Sequence, residues 1–286
     1  MKLSAVVISR NDNYGGNLTE RSKYCLNSLV QAFDEVWYID WNSPTHSLLY
    51  DIYDDIEKTG RLNHIIINSS VAQEMSLYDP ETQKCCEVLA RNLGICRATG
   101  DVIVSTNIDV ISPTKKQLIN FFNNSYNENT FYTISRRALL LQDILNFKFN
   151  DIEKLHNELD DKYPERHLYE KVVENDDYSL INCCGDFQVA NRKIWHEIRG
   201  FEEAMRYCLY TDTNVQKKSL MHGFNLKAVF QPAVFHITHE GGGGSFVGNG
   251  QNKITNNFYK FIRDSNKTEN YDTWGFSNVE IEHEII

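Results

Sequence analysis

The part of this chain that says most about its fold is residues 90–109, which read A-R-N-L-G-I-C-R-A-T-G-D-V-I-V-S-T-N-I-D. Its first half belongs to a helix-like pattern from about 82 to 98, and residues 101–105 form a short β-branched run. This order predicts a helix that leads into a buried strand. The strand would end on two polar residues, Asn107 and Asp109, which are separated by one apolar residue.

Three further strand-like runs alternate with helix-like segments in the first third of the chain. The runs are 3–9, 35–39 and 64–68, and the helices between them cover about 19–33 and 46–59. Strands that alternate with helices predict a parallel, doubly wound α/β sheet, in which ligands bind beyond the carboxyl ends of the strands. The residues that directly follow each strand are therefore where we expect functional side chains.

The rest of the chain is less regular. Residues 115–177 are polar, Asn-rich and helix-like, which indicates a connecting or inserted region. Strand-like runs at 187–190 and 226–237, the second interrupted by Pro232, alternate with helix-like segments at 192–198 and 212–222. We expect one mixed α/β domain with an elaborated C-terminal half, in the segments 1–114, 115–177, 178–255 and 256–286. The last segment, a tail, could pack on the domain or on a second copy in a homo-oligomer.

The composition excludes several classes of protein. Of the 286 residues, 41% are hydrophobic and 24% are charged, as in ordinary globular proteins. The net charge of −10 leaves no broad basic surface, so we expect no nucleic-acid partner. The apolar run before Arg10 is about five residues long, shorter than in a signal peptide, and no apolar stretch approaches the ~20 residues of a membrane span. We therefore expect a soluble, cytoplasmic protein with no integral membrane segment.

Asn107 and Asp109 are candidate metal ligands. Side chains at i and i+2 of a strand point the same way, so the two oxygens would lie together. Mg²⁺ and Mn²⁺ take oxygen ligands and often use only one or two protein carboxylates. The alternative is a strand end followed by a polar turn, since residues 112–113 are Ser-Pro.

Short motifs follow one another in a set order along the chain. They are I-S-R-N-D at 8–12, I-D-W-N-S-P at 39–44, A-R-N-x-G at 90–94, A-T-G-D at 98–101, N-I-D at 107–109, G-D-F at 185–187, G-F-E-E at 200–203, T-D-T-N at 211–214 and H-I-T-H at 236–239. Together they resemble the nucleotide-sugar-dependent glycosyltransferases of the GT-A fold, and family 2 of these enzymes in particular. The resemblance covers most of the chain except about 115–177 and the tail after 255. In that family an Asp usually stands where this chain has Asn107, as the first acid of a D-x-D motif.

The resemblance implies a GT-A fold, which is a Rossmann-like mixed sheet flanked by helices. It also implies a nucleoside-diphosphate sugar as donor, UDP in preference to GDP. The residues that it assigns to the donor are Arg10, Asp12, Asp40, Arg91, Asn92, Asn107 and Asp186. For Asp40 the sequence itself leaves two interpretations open: an acid that accepts hydrogen bonds from a base, or an Asx turn before Pro44.

Two histidines near the end of the predicted sheet complete the implied metal site. In the resembled family a histidine in this region can bind the metal or the diphosphate, which implies Asp109, Asn107, His239 and His236 as ligands of Mn²⁺ or Mg²⁺. Each histidine could instead be an ordinary surface or core residue. A zinc site is disfavoured, because no Cys or Glu stands at a complementary spacing nearby.

The resemblance places the catalytic acid at Asp212, with Glu203 or Glu202 as substitutes. Asp212 would act as the general base on the acceptor hydroxyl, although an Asp at a helix start is also a common N-cap. We therefore predict a metal-dependent glycosyltransferase of the hexosyltransferase type, acting on a glycan or another hydroxyl-bearing acceptor. The resemblance to family 2 and the single candidate base favour inversion, with a retaining enzyme as the alternative. The alternatives are a nucleotidyltransferase or a non-catalytic nucleotide-sugar-binding protein of the same fold. A nucleotidyltransferase usually has a glycine-rich phosphate loop that carries Lys or Arg, and no such loop is evident after the first predicted strand of this chain.

Residues 240–250 contain four consecutive glycines at 241–244. A stretch of this kind loses much backbone entropy when it becomes ordered. We predict that it is a lid that closes over the donor and excludes water. A plain flexible linker to the tail is the alternative.

Overall fold

The computed structural model of the chain describes residues 1–76, 85–162, 185–205, 210–240 and 270–286. The strands in these ranges are β1 (Leu3–Ser9), β2 (Glu35–Trp41), β3 (Leu62–Ile67), β4 (Val102–Asn107), β5 (Val110–Ile111), β6 (Thr130–Leu140), β7 (Phe187–Asn191), β8 (Asn225–Thr238) and β9 (Glu284–Ile285). The helices are α1 (Leu18–Ala32), α2 (Leu48–Ile52), α3 (Ser69–Ser76), α4 (Glu87–Arg97), α5 (Lys115–Asn124), α6 (Ile152–Lys162), α7 (Arg192–Glu197) and α8 (Thr211–Met221).

The described strands form one mixed sheet in the order β5-β8-β6-β7-β4-β1-β2-β3-β9. Four neighbouring strands of this sheet run parallel: β1 pairs with β2 and with β4, and β2 pairs with β3. Val7 of β1 lies in one core cluster with Leu26 of α1, whereas Val6 lies in another with Leu93 of α4. Helices therefore cover both faces of the sheet, and every residue of β1 and β2 is buried. The prediction of a mixed α/β sheet flanked by helices is confirmed.

Two of the predicted helices are shorter than expected. The helix predicted at 46–59 is α2, of five residues, followed by a 3₁₀ turn at Tyr53–Asp55. The helix predicted at 82–98 is described from Glu87 to Arg97, and residues 77–84 lie outside the described residues. The strand predicted at 101–105 extends to Asn107.

The expectation of helix-like sequence after residue 115 is wrong for β6, which is an 11-residue strand. Its first five residues, T-F-Y-T-I, are all buried and have the β-branched and aromatic side chains typical of strands. β6 pairs with β7 and, in parallel, with β8. The register with β8 shifts between Ile134 and Arg136, and Pro232 of β8 lies in that irregular stretch. A bulge is a position where a strand accommodates proline.

The division of the chain into four segments stays a prediction.

The C-terminal segment, residues 270–286, packs on this same chain. Trp274 is buried in the core cluster that contains α4, and Arg97 of α4 donates to the carbonyls of Gly275, Phe276 and Val279. At its end, β9 pairs antiparallel with β3.

The predicted lid at 240–250 lies, apart from Glu240, outside the described residues. Among the described helices, none combines the length and apolar character needed to cross a bilayer.

Candidate active site

Asp109, His236 and His239 come together beyond the carboxyl end of β4. Asp109 lies in the turn between β4 and β5, and β5 pairs antiparallel with β8, so that Val110 is opposite His236. The amide of Ile237 donates to the Asp109 carbonyl at 2.9 Å. One potential ligand atom from each of the three side chains lies within 4.8 Å of the others. The pairing of two strands thus joins an acid and a histidine that are 130 residues apart.

The Asp109 carboxylate is buried among positive and polar groups. Its Oδ2 lies 2.9 Å from His239 Nε2, 3.7 Å from His236 Nε2 and 3.3 Å from Nη1 of Arg21. Burial alone would raise the pKa of Asp109, but the His239 hydrogen bond and the nearby positive charges outweigh it and lower the pKa. The same bond raises the pKa of His239, whereas burial lowers the pKa of His236. Asp109 is therefore anionic at neutral pH and surrounded by groups that favour its charge.

The turn after β1 packs against this cluster through Arg21 of α1. The Arg21 side chain is 1% exposed. Its Nε donates to the Gly16 carbonyl at 3.2 Å and its Nη2 to the Tyr14 carbonyl. The Tyr14 ring meets His239 edge to face, with 4.9 Å between ring centroids. Gly15 has a φ of +68°, and a Cβ at this position would overlap the His239 ring, so only glycine fits.

The three side chains fit a divalent cation. Asp109 Oδ1 is buried, and no described residue donates a hydrogen bond to it. A buried acceptor of this kind is uncommon and is satisfied when a cation binds. Carboxylate oxygen and imidazole nitrogen are both ligands of divalent cations in proteins, so this group could hold one.

Asn107 has different neighbours from Asp109. β4 ends at Asn107, so Asp109 lies outside the strand. The alternation of side chains along a strand, from which we predicted two adjacent oxygens, therefore does not apply to Asp109. The Asn107 side-chain carbonyl accepts from Arg91, and its amide donates to Asp186 Oδ1 at 3.1 Å. Asp186 directly precedes β7, the antiparallel neighbour of β4, and also pairs with Arg136 of β6. Asn107 thus links Arg91 to the Arg136–Asp186 pair, and its role as a metal ligand stays a prediction.

Asp212 is the second residue of α8 and is half-buried. Its Oδ1 accepts the Thr213 amide at 2.9 Å. Gly185 lies against it, since a Cβ there would overlap the Asp212 side chain. Burial raises the pKa of Asp212; the Thr213 amide opposes this, and the carboxylates of Glu87 and Asp186 add to it. A carboxylate with a raised pKa is better matched to proton transfer near neutral pH.

Arg10, Asp12 and Asp40 lie at the carboxyl ends of β1 and β2. Arg10 Nη1 pairs with Asp12 Oδ2 at 2.6 Å. Asp40 is fully buried, its Oδ2 accepts the Leu48 amide at 3.2 Å, and burial raises its pKa. Asp40 thus contributes to the start of α2. The role of these three residues in nucleotide binding stays a prediction.

Asn92, Glu203 and Glu202 make packing contacts. Asn92 is fully buried and donates to the Phe201 carbonyl at 2.8 Å and to Glu203 Oε1 at 3.0 Å. Glu202 lies 3.8 Å from Lys218 Nζ, and both side chains are buried. These contacts join α4, α8 and residues 200–205 rather than reaching Asp109 or the two histidines. The roles of Asn92 in donor binding and of Glu203 in catalysis stay predictions.

Sequence reasoning missed three charged residues next to the candidate site. Arg21 had a detectable signal, because it lies one helical turn from the buried Leu18 and Cys25 on the apolar side of α1. Glu87 also had one: it precedes Arg91 by four residues, the spacing of a helical ion pair, and the two lie 2.6 Å apart. Arg136 had none, since β6 itself was not predicted.

Comparison with solved structures gives the same fold. The chain resembles the mannosyltransferase PcManGT from Pyrobaculum calidifontis in complex with GDP-Man and Mn²⁺, with a TM-score of 0.56 and 14% identity over 97% of this chain and 68% of that one. It also resembles S. aureus TarS 1-349 in complex with UDP-GlcNAc, with a TM-score of 0.55 and 14% identity over 96% of this chain and 69% of that one. In a comparison with another structure of S. aureus TarS 1-349, the matched part of this chain covers 60% of the TarS chain, with a TM-score of 0.50. No protein-family model and no curated protein sequence matches the chain. The sheet and its helices therefore have the GT-A arrangement.

Proposed function

We propose that this chain is a metal-dependent glycosyltransferase that moves a sugar from a nucleoside diphosphate to an acceptor hydroxyl, with inversion at the anomeric carbon. The observation that carries the proposal is the buried Asp109, with His236 and His239, at the carboxyl edge of a GT-A sheet. The PcManGT complex with GDP-Man and Mn²⁺ and the TarS complex with UDP-GlcNAc support it by likeness of fold.

Asp109, His236 and His239 would hold the cation, with Mn²⁺ favoured over Mg²⁺ by the two imidazoles. When bound, a divalent cation at this place supplies Lewis-acid stabilisation of the diphosphate leaving group. Arg21 holds Asp109 Oδ2 in place and leaves Oδ1 available as a ligand.

Asp212 is the proposed general base. Its raised pKa suits it to take the proton from the acceptor hydroxyl while that oxygen attacks. Asp186 connects the two parts of the site, because its carboxylate acts on the pKa of both Asp212 and His236. One base and one direct displacement give inversion.

Arg10, Asp12 and Asp40 are proposed on the donor side, at the ends of β1 and β2, where ligands of doubly wound sheets bind. UDP is preferred to GDP on the family resemblance, in which the acid after the second strand contacts a pyrimidine base. Glu203 is kept as the substitute base. The acceptor is a glycan or another molecule with a free hydroxyl.

The test is calorimetry with UDP and GDP, each with and without Mn²⁺, followed by transfer and hydrolysis assays with the corresponding sugar nucleotides. We expect Mn²⁺-dependent nucleotide binding that Asp109→Asn removes. Asp101→Asn is the matched control, since Asp101 lies just before the opposite end of β4. If the wild type binds neither nucleotide, the proposal is wrong; if it binds one but neither transfers nor hydrolyses the sugar, the chain is a binding protein of the same fold.

A further inference from the structure

One buried side chain of the C-terminal segment binds the loop 199–203, which follows α7. Asn270 is 4% exposed. Its Nδ2 donates to the carbonyls of Arg199 and Phe201 at 2.6 Å each, and its Oδ1 accepts the Glu203 amide at 2.9 Å. An asparagine side chain has two N–H donors and one carbonyl acceptor, and all three are used here. Asn270 therefore fixes the backbone of this loop at three points.

The same loop is bound on its other side by α4. Asn92 Oδ1 accepts the Phe201 amide at 2.7 Å. Glu203 Oε1 accepts Asn92 Nδ2 at 3.0 Å and the amide of Gly275 at 2.8 Å. The loop 199–203 is thus held between α4 and the C-terminal segment, and contacts from both hold the same stretch of backbone.

Helix α8 rests on this loop mainly through polar contacts. Val215 is the one apolar side chain among the seven buried residues of α8, and it lies in the same core cluster as Phe201. Lys218, which is 1% exposed, donates from Nζ to the Gly200 carbonyl at 3.0 Å and lies 3.8 Å from Glu202 Oε2. Apolar burial has no preferred direction, whereas a hydrogen bond does. The position of α8 therefore depends on where the loop places the Gly200 carbonyl.

The proposed base is carried by the first turn of this helix. Asp212 precedes Val215 by three residues and Lys218 by six, and its own carbonyl accepts Gln188 Nε2 at 3.2 Å. A displacement of about 1 Å in a reacting group can cost about 10²-fold in rate. A change in the loop 199–203 that moves α8 would therefore alter proton transfer at Asp212.

We propose that Asn270 is a positioning residue of the transfer reaction: by fixing the loop 199–203 it holds α8, and with it Asp212, where the carboxylate takes the proton of the acceptor hydroxyl. This inference rests on the proposed function. It assigns to the C-terminal segment a part in the transfer step and none in donor affinity.

The experiment compares Asn270→Ala with Tyr271→Ala, a matched control at the next residue, whose side chain is 87% exposed. Three quantities are measured: UDP affinity in the presence of Mn²⁺, kcat with the sugar nucleotide that the wild type transfers or hydrolyses, and hydrogen exchange of the Glu203 and Asn214 amides without nucleotide. The Asn214 amide reports on the first turn of α8, where it donates to the Tyr210 carbonyl at 2.8 Å.

We expect Asn270→Ala to lower kcat about tenfold, to speed exchange at both amides and to leave UDP affinity within about twofold. Asn270→Asp is the second variant, because it keeps the side-chain volume and the acceptor for the Glu203 amide but loses both donors; it should show the same loss of kcat. Tyr271→Ala should match the wild type in all three quantities. Urea titration checks that each variant is folded under the assay conditions.

The outcomes separate this inference from the proposed function. Wild-type protein that binds no nucleotide, or binds it without turning over the sugar, overturns the proposed function and the role of Asn270 in transfer with it. Wild-type protein that turns over the donor, together with unchanged kcat and unchanged Asn214 exchange in Asn270→Ala, overturns the positioning role alone. An equal loss of kcat and UDP affinity also overturns it, because general loosening of the fold would lower both. Equal losses in Tyr271→Ala would assign the effect to the segment and not to Asn270.

Discussion

Replacement of Arg21 by Met should strongly destabilise the fold, because Arg21 and Asp109 are a buried ion pair. Their side chains are 1% and 7% exposed, and Nη1 lies 3.3 Å from Oδ2. Methionine keeps most of the side-chain volume and removes the charge. The Asp109 carboxylate would then lose one of the cations that lower its pKa, and the carbonyls of Tyr14 and Gly16 would lose their donors.

The magnitude follows from what remains around Asp109. Loss of one partner from a buried pair costs about 3–5 kcal/mol. His239 stays within 2.9 Å of the carboxylate and partly compensates its charge, so we expect the lower end, about 3 kcal/mol. Asp109→Asn removes the same interaction from the other side. The double variant should therefore be more stable than the sum of the two losses predicts, by about 2 kcal/mol.

The assay is urea denaturation of the wild type, both single variants and the double variant, with Arg199→Met as the control. Arg199 pairs with Asp272, but the two side chains are 34% and 90% exposed, and loss of an exposed pair costs at most about 1 kcal/mol. The reasoning fails if Arg21→Met costs no more than Arg199→Met. It also fails if the effects of Arg21→Met and Asp109→Asn add to within about 0.5 kcal/mol.

Three further predictions concern the site and the pH dependence of stability. Asp212→Asn should keep nucleotide affinity and lose about 10²–10⁴-fold in transfer rate, since a general base acts on the acceptor; an equal loss of nucleotide affinity in calorimetry would make Asp212 a structural or donor-binding residue. Gly15→Ala should weaken Mn²⁺ binding about 10- to 100-fold in a metal titration, because its Cβ displaces His239, and unchanged affinity would remove His239 from the ligand set. Burial alone would raise the pKa of Glu35, but hydrogen bonds from Ser4 and Thr99 outweigh it and lower the pKa. The stabilisation by Glu35 is therefore complete above its unfolded-state pKa of about 4.3 and is lost as the pH falls through the lower folded value. Glu35→Gln should cost about 1 kcal/mol at pH 7 and progressively less as the pH falls below about 4.3, and a loss that does not change with pH in urea titrations would contradict this.

The parallel half of the sheet was predictable because its signals are local. β1 and β2 are buried on both faces, and such strands appear in the sequence as nearly continuous apolar runs. The rule that ligands bind at the carboxyl ends of parallel strands then pointed to Asp109 before any side chain was placed. β6 was missed although its first residues have strand character, because polar, Asn-rich sequence surrounds them.

The composition of the site was decided by tertiary structure. A two-residue strand, β5, pairs with β8 and thereby brings His236 and His239 to Asp109, and a pairing so short leaves no periodic pattern in sequence. Asn107 has the expected position at the end of β4, and its side-chain oxygen accepts a hydrogen bond from Arg91.

The sequence by itself determined which residues form the central strands and which edge of the sheet carries polar side chains, since burial periodicity and strand ends depend on neighbouring residues alone. Only the tertiary structure decided that Arg21 pairs with Asp109 and that Arg136 pairs with Asp186. These contacts join charged groups that are 88 and 50 positions apart. Their partners are selected by how helices and edge strands pack on the sheet, which no local pattern encodes.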